Sequence, residues 1–158
     1  SWRAAEQVKG LAAAVPYYGG GMATAVEAAR VPACPVLAHF GDILRKQMRP
    51  TDIVTRFGGE EFVILMRCDS ADHAEGALER LRERVKEYAF PQVGTITVSI
   101  GVSTLLPNDT PSSAFGRADK AVYYAKEHGR NQVCNYQTLV AEGKLVEQVA
   151  DEMDVDLF

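Results

Sequence analysis

Apolar positions along the chain change period several times, and each change marks an element. Leu11 to Tyr18 is an uncharged apolar run, a strand candidate that runs into the Gly19-Gly20-Gly21 break. Trp2 to Val8 and the alanine-rich Met22 to Arg30 read as helices. Pro35 to Phe40 reads as a second buried-type strand ending at Gly41-Asp42. Strand, helix, strand predicts a parallel α/β unit. Ile43 to Met48 reads as a short helix stopped near Pro50.

Ile53-Val54-Thr55 and Phe62 to Met66 then flank a Gly58-Gly59-Glu60-Glu61 tip, a β-hairpin pattern. After Ser70, an expected N-cap, the apolar positions Ala74, Ala77, Leu78, Leu81, Val85 and Tyr88 recur at helical spacing. Gly94 to Val102 alternates, with Ile96, Val98, Ile100 and Val102 on one face, which predicts a half-buried strand. Pro111 suits a first helical position. Phe115, Ala118, Val122 and Ala125 form the next buried stripe, and Gly129 is its stop. Gln132 to Tyr136 reads as a last short strand, and residues 137–158 as a mostly helical acidic tail. The predicted fold class is α/β (α+β-like), with a central sheet of about five strands, helices on both faces and a GGEEF hairpin.

Composition narrows the classes. The length of 158 residues fits one domain with a sizeable core. A net charge of -4 argues against a general nucleic-acid binder but leaves room for a small nucleotide held by a local basic cluster. Cys34, Cys68 and Cys134 are odd in number and show no CxxC spacing, so they read as reduced, buried thiols and not as disulfides or a zinc site. No apolar run reaches the length of about 18 residues needed to cross a bilayer, and Ser1-Trp2-Arg3 is no signal-peptide start. A cytoplasmic location is expected.

The hairpin tip is where chemistry is expected. Two glycines allow a sharp bend and close approach of a bulky anion. Glu60 and Glu61 repel one another unless a divalent cation lies between them. Lys126 and Arg130 stand one helical turn apart, so both can face one anion.

Several separate motifs occur in one order: Arg56-Phe57-Gly58-Gly59-Glu60-Glu61-Phe62, Val98-Ser99-Ile100-Gly101-Val102, Ala118-Asp119-Lys120-Ala121-Val122-Tyr123, Ala125-Lys126 and Gly129-Arg130-Asn131. With them, residues 43–140 resemble the GGDEF family, the diguanylate cyclases, which condense two GTP into cyclic di-GMP. The resemblance implies Mg²⁺ (or Mn²⁺) held by Glu60, with Glu61 beside the reacting hydroxyl. It implies Gly58 and Gly59 against the nucleotide, Lys126 and Arg130 on the terminal phosphates, and a homodimer carrying one GTP per subunit. Arg49-Pro50-Thr51-Asp52, with five residues between Asp52 and Gly58, resembles the family's product-binding inhibitory site, and Arg80 resembles a further arginine of that site. Arginine can clasp phosphate or stack on guanine, and the carboxylate can accept from guanine N–H groups.

Two segments of the family pattern are not found: a strand ending in a metal-binding Asp-x-Asp-x-Phe-Lys motif, and an Asn-Asp pair that reads guanine. Residues 11–42 instead resemble a dienelactone hydrolase fragment, through Ala14-Val15-Pro16-Tyr17-Tyr18-Gly19-Gly20-Gly21 and Pro35-Val36-Leu37-Ala38-His39-Phe40-Gly41-Asp42. No Cys-His-Asp triad is assembled there, and His39 reads as a strand-end histidine. The expected organisation is this fragment over residues 1–42, a partial GGDEF domain over 43–140 and an acidic tail over 141–158. Pro35 to Phe40 would replace the missing first strand, with Asp42 near the hairpin tip as a substitute metal ligand. Three readings stay open: an active cyclase, a cyclic di-GMP-binding module without turnover, and a chimeric domain without activity.

Overall fold

The computed structural model describes residues 11–18, 34–57, 61–91 and 93–147, with 11–18 and 34–38 described as backbone. The elements run β1 (Leu11–Tyr18), α1 (Cys34–Gln47), β2 (Ile53–Arg56), β3 (Phe62–Arg67), α2 (Ala71–Glu87), β4 (Ala89–Phe90), β5 (Gly94–Thr95), β6 (Val98–Thr104), α3 (Pro111–Glu127), β7 (Val133–Asn135) and α4 (Tyr136–Ala141). β2, β3, β1, β6 and β7 form one five-stranded sheet in that order, and β4 and β5 pair apart from it. The helices predicted over Trp2–Val8 and Met22–Arg30 lie outside the described residues, as does the tail beyond 147.

The strand at Leu11–Tyr18 holds, but its partners differ from the expected parallel unit. β1 is central and antiparallel to both neighbours, with Ala14 opposite Ile64 of β3 and opposite Val102 of β6. β6 and β7 form the sheet's parallel pair. Pro35 to Phe40 is not a strand. It belongs to α1, which continues through the predicted Ile43–Met48 helix to Gln47. Pro35 falls in the first turn, where its missing N–H is no loss. Phe40, Ile43, Leu44 and Met48 are buried at helical spacing. So β1, and not Pro35 to Phe40, fills the central place. His39 is a half-buried helical residue whose Nδ1 lies 3.0 Å from the Tyr88 hydroxyl.

β6 divides the core. Val98, Ile100 and Val102 are buried in one cluster with Phe40 and Leu44 of α1, Phe62, Ile64 and Met66 of β3, and Leu78, Leu81 and Val85 of α2. The alternate positions Ser99, Gly101 and Ser103 are also buried. The strand is therefore covered on both faces, not half-buried. Its second face is small because α3 lies almost on the backbone there. A Cβ on Gly101 would stand 2.1 Å from the Ala118 carbonyl oxygen and 2.6 Å from the Val122 nitrogen. Ala114, Ala118, Ala121 and Ala125 give α3 a matching flat face, and Ser103 Oγ donates to the Ala114 carbonyl at 3.0 Å.

The helix ends follow the sequence. Ser70 caps α2, its side chain accepting from the His73 N–H at 3.3 Å. Thr110 caps α3 in a capping box with Ser113, and Pro111 follows in the first turn. Gly129 stops α3 with φ of 110°. Arg117 of α3 reaches back to Asp109 and to the Thr104 carbonyl, which ties the β6–α3 loop to the helix. Burial pushes the Asp109 carboxyl up. Hydrogen bonds from Arg117, the Leu106 N–H and Ser113 outweigh it and hold the group below the ordinary carboxylate value.

Gly101→Ala is expected to destabilise the protein by about 1–3 kcal/mol, because the crowding atoms are backbone and α3 must move; urea unfolding measures it. A depressed native pKa for Asp109 means stability that is present above the unfolded value of about 3.9 and lost as pH falls below it. Asp109→Asn is therefore expected to lower the urea midpoint at pH 7, with the gap to the parent chain narrowing as the pH falls through the depressed native value.

Candidate active site

The hairpin forms as predicted. β2 and β3 pair antiparallel from Ile53 opposite Leu65 to Arg56 opposite Phe62, and the Phe57 N–H donates to the Glu61 carbonyl at 2.8 Å below the tip. Glu61 is half-buried. The exposed Phe57 ring lies 4.9 Å from that of Phe115, which leans the hairpin on α3. Gly58, Gly59 and Glu60 lie outside the described residues.

Register identifies the backbone beside the tip. β1 runs from Leu11 opposite Arg67 to Ala14 opposite Ile64, so its next residues head toward the tip end of β3. Those residues are Val15, Pro16, Tyr17 and Tyr18, with no carboxylate among them. Asp42 is not at a strand end. It lies within α1, its side chain 56% exposed and 3.7 Å from Arg45, so the placement that made it a substitute metal ligand does not hold. Among the described residues, no group of three or more His, Cys, Asp or Glu side chains is placed to hold a metal.

Arg49 and Asp52 are brought together. Pro50 turns the chain between them, the Asp52 N–H donates to the Arg49 carbonyl at 3.0 Å, and the Arg49 N–H donates to Asp52 Oδ2 at 2.8 Å. Asp52 Oδ1 is buried without a hydrogen-bond partner. Both residues line a cleft of about 560 Å³ with Arg45, Met48, Arg56 and Phe62. Its floor is apolar and its rim cationic, which suits a flat, negatively charged ligand. Arg80 is exposed on α2 and is not among the residues lining that cleft.

Lys126 and Arg130 also meet. They line an open cleft of about 640 Å³ at the C-terminal end of α3, with Tyr123, Glu127 and His128. The turn beyond it is unusual. Gly129, Arg130 and Asn131 all have positive φ, at 110°, 58° and 46°. The Arg130 N–H closes on the Ala125 carbonyl at 2.9 Å, the six-to-one bond of a Schellman motif. Gln132 Nε2 donates to the Ala125 and His128 carbonyls at 2.9 and 2.8 Å. From α2, Arg82 donates to Asn131 Oδ1 at 2.8 Å. Arg82 is not among the site residues expected from the sequence. Its signal was Glu79, one turn earlier, on a helix face that otherwise reads as solvated.

The model of the diguanylate cyclase GGDEF domain matches residues 35–132. The chain belongs to the GGDEF-domain diguanylate cyclase family. It is 40% identical over 101 residues to Diguanylate cyclase DgcP of Pseudomonas aeruginosa, a match covering 62% of this chain and 15% of that protein. It is 39% identical over 104 residues to Response regulator PleD of Caulobacter vibrioides, covering 62% and 23%. The matches thus span less than a quarter of either relative's length. Among solved structures, the chain is similar to the active GGEEF domain of a diguanylate cyclase from Vibrio cholerae, with a TM-score of 0.71, 26% identity and coverage of 80% of this chain and 82% of that one. It is also similar to the GGDEF domain of DgcB from Caulobacter crescentus in complex with c-di-GMP, with a TM-score of 0.73, 25% identity and coverage of 80% and 78%.

Cys68 and Cys134 are free thiols. Burial pushes both up; for Cys68 the Arg49 charge acts in the opposite sense. A raised thiol pKa leaves less thiolate at neutral pH. Both are expected to react with iodoacetamide at pH 7 more slowly than a free cysteine peptide, as followed by mass spectrometry of the native protein.

Proposed function

We propose that this domain binds GTP and condenses two GTP into cyclic di-GMP, with product binding back at the Arg49–Asp52 turn. The observation that carries the reading is the convergence of Lys126 and Arg130 on one cleft. Two cations at a helix C-terminus, Lys126 in the last turn and Arg130 in the left-handed turn just beyond it, are suited to the terminal phosphates of a nucleotide. Gly58 and Gly59 would let the hairpin lie against the nucleotide, and Glu61 would sit beside the attacking ribose hydroxyl. Glu60 and Glu61 offer the hard oxygen donors that Mg²⁺ or Mn²⁺ prefers, and Glu60 would hold the ion. When bound, the ion neutralises phosphate charge. One hairpin serves one GTP, so condensation requires a homodimer. We place the reaction in the cytoplasm.

The inhibitory reading is supported by the partnerless Asp52 Oδ1 in a cationic cleft, where a guanine N–H would supply the missing donor. Arg80 would reach the same ligand from α2.

A second reading, cyclic di-GMP binding without turnover, is favoured by the end of β1. The strand beside the hairpin tip offers Pro16, Tyr17 and Tyr18 where the family pattern places an Asp. Residues 1–42, read as a fragment of a second α/β family, would supply a structural strand without supplying that carboxylate.

Incubation with GTP and Mg²⁺, followed by chromatography, decides between them. Turnover predicts a cyclic di-GMP peak, lost in Glu61→Gln, and a KM for GTP raised about tenfold in Lys126→Ala. Absence of product, with calorimetric binding of cyclic di-GMP that disappears in Arg49→Ala, would select the second reading.

A further inference from the structure

We infer that Arg82 is a positioning residue for the Lys126–Arg130 cleft and acts through the Asn131 side chain. The inference rests on the proposed reading of that cleft as the seat of a nucleotide's terminal phosphates.

Arg82 lies among surface residues yet its side chain is 8% exposed. Its guanidinium is divided between two tasks. Nε and NH2 are held by Glu79, with Nε at 2.9 Å and 3.0 Å from the two carboxylate oxygens and NH2 at 2.5 Å from one of them. Glu83 also takes NH2. Both carboxylates belong to α2 itself, so they fix the plane of the fork. That leaves NH1 to cross to Asn131 Oδ1, 49 positions away in sequence.

Asn131 ends three successive left-handed residues, two of which carry side chains. Such backbone persists only where its surroundings over-determine it. On the α3 side, the Arg130 N–H and the Gln132 amide close on the last carbonyls of the helix. On the α2 side, Arg82 supplies a charged hydrogen bond with little access to water that could replace it. The Arg130 side chain leaves the backbone between these two anchors. Its guanidinium is exposed, so its aim is set by the backbone it springs from. Loosening Asn131 releases that aim without removing the Arg130 charge.

The test compares GTP with GMP, which lacks the terminal phosphates, by calorimetry on the whole chain. The variants are Arg82→Lys, Asn131→Gly, their combination and Arg130→Ala. Asn131→Gly deletes the acceptor while supplying the residue that left-handed backbone favours, so folding is retained. Arg82→Lys keeps the charge but cannot fork. Each single variant is expected to bind GTP about tenfold more weakly, with GMP affinity unchanged. The combination should be no worse than either single variant, as expected for two ends of one bond. Amide exchange at Arg130 to Gln132 should quicken while that of β6 does not. GTP affinity at the parent level in both variants, with loss in Arg130→Ala, would overturn the positioning role alone. Parallel loss of GTP and GMP would mark a general structural effect and also overturn it. Unchanged GTP affinity in Arg130→Ala would remove the phosphate reading of the cleft, and this role with it.

Discussion

The contact between β6 and α3 at Gly101 is the constraint on which the remaining structure depends. The helix backbone stands where any side chain at Gly101 would have to be. That approach brings the two elements close enough for Ser103 to reach the Ala114 carbonyl. It also sets how α3 lies across the sheet. The C-terminal end of α3 carries Lys126 and launches the Gly129–Asn131 turn back to β7, which pairs in parallel with β6 at Ile100, Gly101 and Val102. The glycine of the Val-Ser-Ile-Gly-Val motif thus fixes the placement of the Lys126–Arg130 cleft, which it never touches.

The two clefts differ in how they are held. The Arg49–Asp52 cleft is built from one turn, the adjoining faces of α1 and β2, and Phe62 of the paired strand β3. The Lys126–Arg130 cleft depends on α2, through Arg82, and on the helix end, through Gln132. A local turn survives changes elsewhere in the fold. A site suspended between two helices registers any shift of one against the other.

The hairpin, the α2 and α3 stripes, Ser70, Pro111 and Gly129 were legible in the sequence because periodicity and cap chemistry act locally. The Pro35–Phe40 segment was misread because a short apolar run has no period of its own, and Gly41-Asp42 resembled a stop. The helical spacing of buried residues becomes visible only from Phe40 onward, through Ile43, Leu44 and Met48. The alternation in β6 showed one buried face. The second face was hidden because Ser99, Gly101 and Ser103 look polar or small, and their burial comes from a helix that begins later in the chain. The pairings of Arg49 with Asp52 and of Lys126 with Arg130 could be read from spacing. Arg82 could not, because its partner is set by tertiary contact.

β1 lies between β3 and β6, so the middle of the sheet is supplied by the most N-terminal strand described. Ala14 must meet Val102, 88 positions later in the chain, whereas the β2–β3 hairpin closes over a few residues. Closing long loops is entropically costly and slows folding. During synthesis β1 precedes both of its partners, and the edge it offers to β6 stays open until β6 has been made, even once β3 is in place. Among the described strands, the apolar, uncharged Leu11–Tyr18 segment is therefore the one that most needs protection on the ribosome.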